Sequence, residues 1–495
     1  MQYHSFVCLV GFSVCFSSVF VGLSSDLESL VIKSKLRIFT SPFHFFAPYN
    51  RYCYETADGK MVFPDSFDNL GHHLENFGKV FMEKALPSTT TWISYFFFFA
   101  VQTILASFMP GLTMEGLPTA PDSIKLKYLC NGYECYYFCL FAVFLVHYLD
   151  IFPLGYIAEN YGEYLTASVI IGDVTSLMWW LIGLFFEYDP KSGSLVWINS
   201  YEHERHTPTG YPIYDFFMGT ILYPRIGNVD IKMVAEARWS WITLAITTYS
   251  CAVKQYETLG YVSPQMAMMV LAHWLYSNAT VKGEHYITPT WDMFYEKFGW
   301  MLNFWNIAGV PYLYCFQSYY VLKNQSRIDE QQNTIFVVVV YVMLIFGYYI
   351  FDSANCQKAS YKLPGIDRAT FPQVPWGVLE EPIRVIKTPR GNLLADGWYR
   401  YARKIQYTGD ILMAASWGLI CGFDSLLPYF YCLFFTLMIL HRQSRDEVRC
   451  AEKYGEAWTK YVEEVPNVFV PDARFFSDIK AYLLNENKEG KKKAE

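Results

Sequence analysis

From Thr91 onward the chain is dominated by uncharged apolar runs, which leave few architectures open. A helix needs about 20 mainly apolar residues to cross a bilayer. Backbone groups in lipid must find their partners within the segment, so such runs form helices. Candidate spans are residues 92–109, 132–148, 164–186, 239–253, 262–279, 298–322 and 334–351. After a polar interval come 410–423 and 426–440, both short and suited to a tight helical hairpin. The expected fold is an all-α polytopic membrane protein of about nine to ten transmembrane helices. Composition agrees, with 53% hydrophobic and 17% charged residues, against about 25% charged in a soluble domain.

The runs also set the expected domains: an N-terminal segment 1–90, a membrane domain 91–475 and a cytosolic tail 476–495. Residues 6–23 are apolar with no Lys or Arg ahead of them. A signal peptide would carry a basic start, so an uncleaved first membrane segment is expected. Residues 24–88 are polar, with an amphipathic stretch at 68–85. His72 and His73 are adjacent there and would face different directions, which argues against paired metal ligands. Twelve cysteines are scattered without CxxC spacing. They read as small buried hydrophobes, and no metal site is expected. A net charge of −7 gives no sign of nucleic acid binding.

Residues 441–461, HRQSRDEVRCAEKYGEAWTKY, follow one of the most apolar segments. Read as one helix, they place Asp446, Cys450, Tyr454 and Trp458 in a row, with Tyr461 one turn on. Arg445, Arg449 and Lys453 form the adjacent row. Such a face suits a ligand with phosphates and a flat ring. It equally suits an interfacial anchor, with snorkelling cations and a Trp/Tyr belt. The loops 210–227, 281–298, 354–362 and 391–410 carry ionisable residues near membrane edges. Several at one level would form a polar cavity, although loops need polar residues in any case. The ending Lys492, Lys493, Ala494, Glu495 has the form of a dilysine retrieval address for the endoplasmic reticulum, which would put this end in the cytosol. No GxGxxG, GxxxxGK[ST] or GxSxG is present, so a nucleotide would have to be held by side chains from several helices.

Residues 210–227 (GYPIYDFFMGTILYPRIG) and 393–471 resemble the signatures of the sterol reductase family. That family comprises Δ14-, Δ7- and C-24(28)-reductases and the reductase-like domain of lamin B receptor. The similarity runs from about Trp92 to Pro471. The segments KQYETLGYVSPQM, LAHWLYSNA, TPTWDMFYEKFG, FWNIAGVPY and DGWYRYARKIQYTGD look closest to the fungal C-24(28) reductases. The resemblance implies a ten-helix fold with NADPH in a cytosol-facing pocket of the C-terminal helices, and a sterol pocket within the membrane. Family cofactor positions fall on Lys358, Lys362, Leu394, Tyr399, Gln406 and Tyr407. They continue on Asp446, Cys450 to Tyr454 (Lys453 among them) and Tyr461. Arg403 and Arg445 match further positions near the cofactor. Lys362 stands for the usual Arg, Tyr399 for Trp, Lys404 for His and Gln406 for Asn or His. Implied partners are the sterol, membrane lipid and other sterol-biosynthesis enzymes.

An isolated carbon–carbon double bond is a poor hydride acceptor, so an acid must protonate one carbon. For an exocyclic C-24(28) bond, protonating C28 leaves a tertiary cation at C24. A carboxyl or phenol in an apolar pocket keeps its proton near neutral pH, and aromatic faces steady the cation. The acid candidates are Glu284, Asp292 and Tyr314. Δ7- or Δ14-reduction is the sibling alternative. A membrane methyltransferase for prenylated cysteine resembles the C-terminal pattern HRxxRDExxCxxKYGxxWxxY but is shorter. A non-catalytic receptor or scaffold is the third reading.

Overall fold

The computed structural model describes residues 49, 51–62, 69–84, 86–119, 123–197, 208–362, 379, 382–471, 474, 475, 477 and 478. The apolar run 6–23 and the Lys-rich ending lie outside the described residues. Helices dominate, as expected. Among the described residues, four two-stranded antiparallel ladders qualify the all-α reading. The pattern for one was present: in Lys125–Cys130, Leu126, Tyr128 and Cys130 are buried while Lys125 and Lys127 are exposed, the two-residue period of a strand.

Three helices among the described residues are long and apolar enough to cross a membrane: Thr89–Phe108, Tyr161–Phe185 and Thr334–Tyr361. The remaining expected spans are helical but shorter, broken or more polar. Gly132–Tyr148 has 17 residues. The run at 239–253 begins in a π-helix, Ala235–Ile242, before Thr243–Leu259. The run at 298–322 splits into Trp300–Phe304, a π-helix Trp305–Tyr314 and Gln317–Gln331. Pro311 lies inside that π-helix. Proline has no N–H to continue the ladder, and π-turns absorb such breaks.

The chain divides into two compact units, Met1–Val338 with Trp417–Tyr431, and Val339–Ser416 with Cys432–Glu495. The first is held by packed aromatics. Tyr161 and Tyr319 stack at 4.3 Å, Tyr54 lies edge-on to Tyr161 at 5.4 Å, and the Tyr54 hydroxyl donates to Tyr312 O at 3.2 Å. Two ionisable residues of the 210–227 loop are tied into this unit. Asp215 accepts from Thr209 N at 3.0 Å and Thr209 Oγ1 at 2.7 Å. Arg225 lies between the rings of Tyr128 and Tyr188, 5.0 and 5.5 Å from their centroids. The second unit is built on the end of Thr334–Lys362, on Ile405–Leu419 and on Phe430–Tyr454.

Candidate cofactor site

Within the second unit, the GWYR turn docks on the end of the Thr334–Lys362 helix. Trp398 Nε1 donates to Ser353 Oγ at 2.7 Å, and Trp398 N donates to Gln357 Oε1 at 2.8 Å. Gly397 permits this approach. Its φ is +57°, and a Cβ there would stand 2.4 Å from Gln357 Oε1. Asp396 secures the turn from the other side, accepting from Ile383 N at 2.6 Å and Gly397 N at 2.8 Å. The ladder of Val385–Ile386 with Leu393–Leu394 brings Leu394 into one core with Trp398 and Tyr399. Lys358 Nζ then lies 5.6 Å from the Tyr399 ring centroid.

The next residues bind the chain's later part. Arg403 N and Lys404 N donate to Asn467 O at 2.9 Å and Val468 O at 2.8 Å. The buried Arg403 guanidinium donates to Val465 O at 2.7 Å, Pro466 O at 2.8 Å and Glu447 Oε1 at 3.0 Å. This makes Arg403 a clamp around the site. Lys404 pairs with Asp446, which also accepts from Arg449 Nη2 at 2.6 Å. Burial alone would raise the Asp446 carboxyl, but Lys404, with Arg449 and Lys358, holds it down at about 2. Burial pushes the Cys450 thiol up, and Asp446 adds to the effect.

The expected single helix over 441–461 is two. Phe430–Tyr454 ends where Gly455 takes φ +55°, and Glu456–Glu464 follows. Asp446, Cys450 and Tyr454 keep their row on the first helix. Trp458 and Tyr461 belong to the second, yet the Tyr454 and Trp458 rings still stack at 6.5 Å, and Trp458 meets Tyr461 at 5.4 Å. Burial pushes the Tyr399 and Tyr461 phenols up, and Tyr461 and Tyr407 lie close enough to Tyr399 to add to its shift. Lys453 Nζ lies 4.8 Å from the Tyr454 ring centroid, and Arg445 is exposed. The Lys362 side chain lies outside the described residues.

Lys358, Leu394, Tyr399, Gln406, Tyr407, Asp446, Cys450, Tyr454 and Tyr461 are thus gathered in one unit. Its chemistry fits a phosphate-bearing ligand with flat rings. Lys358, Arg445, Arg449 and Lys453 provide positive charge, and the tyrosines provide faces. Gln406 Oε1 is buried with no partner among the described residues, an acceptor suited to an amide or hydroxyl donor. The sequence missed Lys404 as the partner of Asp446 and Glu447 as the partner of Arg403. Each pair joins distant segments, and no local spacing reveals it.

The three acid candidates lie in the first unit, and the two whose side chains are described make separate contacts. Glu284 is buried and paired with Arg238. It also accepts from Gly132 N at 2.7 Å, while Arg238 Nη2 reaches Asn131 Oδ1 at 2.5 Å. Asp292 is half-buried near Lys232, whose buried amine donates to Leu222 O, Met293 O and Glu296 O at 3.1, 3.2 and 2.8 Å. Burial pushes Lys232 down to about 8, against the pull of Asp230 and Asp292. Tyr314 ends the Trp305–Tyr314 π-helix, and its side chain lies outside the described residues. Among the described residues no group of three metal-ligating side chains occurs.

A family model described as the ergosterol biosynthesis ERG4/ERG24 family matches residues 27–473. The chain belongs to this family of sterol reductases. It is 39% identical over 412 residues to a Delta(24(24(1)))-sterol reductase of Gibberella zeae, covering 82% of this chain and 66% of that protein, just under two thirds of its length. A Delta(24(24(1)))-sterol reductase of Aspergillus fumigatus is 34% identical, over 84% of this chain and 86% of that protein. A Delta(14)-sterol reductase of Methylotuvimicrobium alcaliphilum is also 34% identical, over 76% of this chain and 82% of that protein.

Proposed function

We propose that the protein is an NADPH-dependent sterol reductase of the endoplasmic reticulum membrane, acting on the C-24(28) side-chain double bond. The observation that carries the cofactor assignment is the grouping of Lys358, Tyr399 and the orphan Gln406 Oε1 with the Asp446–Cys450–Tyr454 row. Lys358, Arg445, Arg449 and Lys453 bind the phosphates. Tyr399, Tyr454 and Tyr461 pack the rings. Asp446, ionised by Lys404, orients polar groups of the cofactor. The cofactor supplies a hydride; the protein must supply the proton and a dry cavity.

Of the acid candidates, Glu284 accepts hydrogen bonds in each of its described contacts, and Asp292 lies near a buried amine. A phenol carries its proton at neutral pH without help, so Tyr314 is the proposed donor. The bond assignment rests on the two Delta(24(24(1)))-reductase relatives. Reduction at Δ14 is the second reading, favoured by a relative of equal identity to one of them. Membranes carrying the protein should oxidise NADPH only when a 24(28)-methylene sterol is added. Oxidation with a Δ14-sterol alone moves the assignment to the second reading, and dependence on S-adenosylmethionine refutes both.

A further inference from the structure

In the first unit a buried hydrogen-bond acceptor and a buried donor lie on adjoining rings, and no described residue satisfies either. His273 is fully buried midway along the Pro264–Lys282 helix. Its Nδ1 is 2.6 Å from Thr248 Oγ1, on the Thr243–Leu259 helix. The Thr248 hydroxyl donates to Ser318 Oγ at 3.3 Å. With the Thr248 hydrogen directed at Ser318, the ring supplies the hydrogen shared with Thr248, and the Nδ1–H tautomer is inferred. Among the described residues no carboxylate bonds to the ring to balance a charge. Nε2 is then a lone-pair acceptor, and it is buried with no partner. Trp417 packs edge-on against His273, with centroids 4.7 Å apart at 80°. Its Nε1–H is likewise buried without an acceptor.

Leaving both groups dry and unpaired costs stability. A hydroxyl, donor and acceptor at once, matches both unpaired groups in kind. The surroundings are aromatic. Tyr431 stacks on Trp417 at 5.0 Å, Tyr276 meets its edge at 5.8 Å, and Trp241 lies 4.5 Å from Tyr276.

We propose that His273 and Trp417 hold the alcohol hydroxyl at the ring end of the sterol, with His273 Nε2 accepting from the oxygen and Trp417 Nε1 donating to it. This rests on the sterol reading above and adds a specificity site remote from the reacting bond. The same oxygen could be that of an internal water, and the experiment separates the two. Full-length protein in nanodiscs is titrated with a 24(28)-methylene 3β-hydroxysterol and with its 3-deoxy counterpart. Wild type should bind the hydroxysterol about tenfold or more tighter. His273→Asn keeps an N–H for Thr248 and removes Nε2. It should bind the hydroxysterol no better than the 3-deoxy compound, whose affinity should be unchanged. Trp417→Phe should reduce the preference in the same way and decides the matter if His273→Asn fails to fold. Equal binding of both ligands by wild type, or full preference in the variants, overturns the proposal and leaves a water site. Hydroxyl-dependent binding without reduction supports this site while refuting the reductase reading. Binding of neither ligand overturns both.

Discussion

Asp446 is half-buried and accepts from Lys404 and Arg449, so its charge is part of the fold. Held at about 2 in the fold, against about 3.9 in an unfolded chain, the carboxyl contributes about 2 kcal/mol. A depressed carboxylate stabilises above its unfolded value and loses that effect as the pH falls through its folded value. Unfolding of wild type in nanodiscs should therefore become easier between about pH 4 and pH 2, and Asp446→Asn should show a shallower loss across that window. Tyr314→Phe should reduce turnover at least a hundredfold, a general-acid contribution, with NADPH and sterol affinity kept; unchanged turnover removes the phenol from the mechanism. The row Asp446, Cys450, Tyr454 was legible because four-residue spacing alone places residues on one helical face. The Lys404–Asp446 and Arg403–Glu447 pairs were not, because they join segments about forty residues apart, and only the folded chain brings them together.

Among the elements, the stretch 441–461 was read as one rod and is two helices meeting at Gly455. The glycine at this position is a common helix stop, and the unbroken pattern of cations and rings concealed it. Nothing lies within 4 Å of a Cβ added there, so Gly455→Ala tests conformation alone. Its positive φ should cost about 1–3 kcal/mol, read as a lowered melting temperature and weaker NADPH binding. Arg445 projects from the first helix into solvent. Arg445→Ala should weaken NADPH binding about tenfold or more, the value of a hydrogen bond to a charged group, with the amount of protein in the membrane unchanged. Equal affinity would return this face to the role of an interfacial anchor. The π-helices Ala235–Ile242 and Trp305–Tyr314 were illegible, since apolar periodicity does not distinguish a widened turn from a regular one.

At the scale of the whole molecule, the helical membrane character was written in composition, while the count of spans was not. Thr334–Tyr361 could be read directly, but the run at 298–322 hides a break at Pro311 within unchanged hydrophobicity. Expression in cells lacking C-24(28) reduction should lower 24(28)-methylene sterols in their lipid profile; loss of a Δ14 species instead favours the sibling activity. The Arg403 clamp also has a consequence for biosynthesis. Arg403 closes on Val465 O, 62 residues later in the chain. During translation the GWYR turn emerges well before the carbonyls that hold its neighbour. A nascent chain stopped short of Val465 would lack two of the guanidinium's three acceptors, so the clamp can close only after the preceding helices have been made.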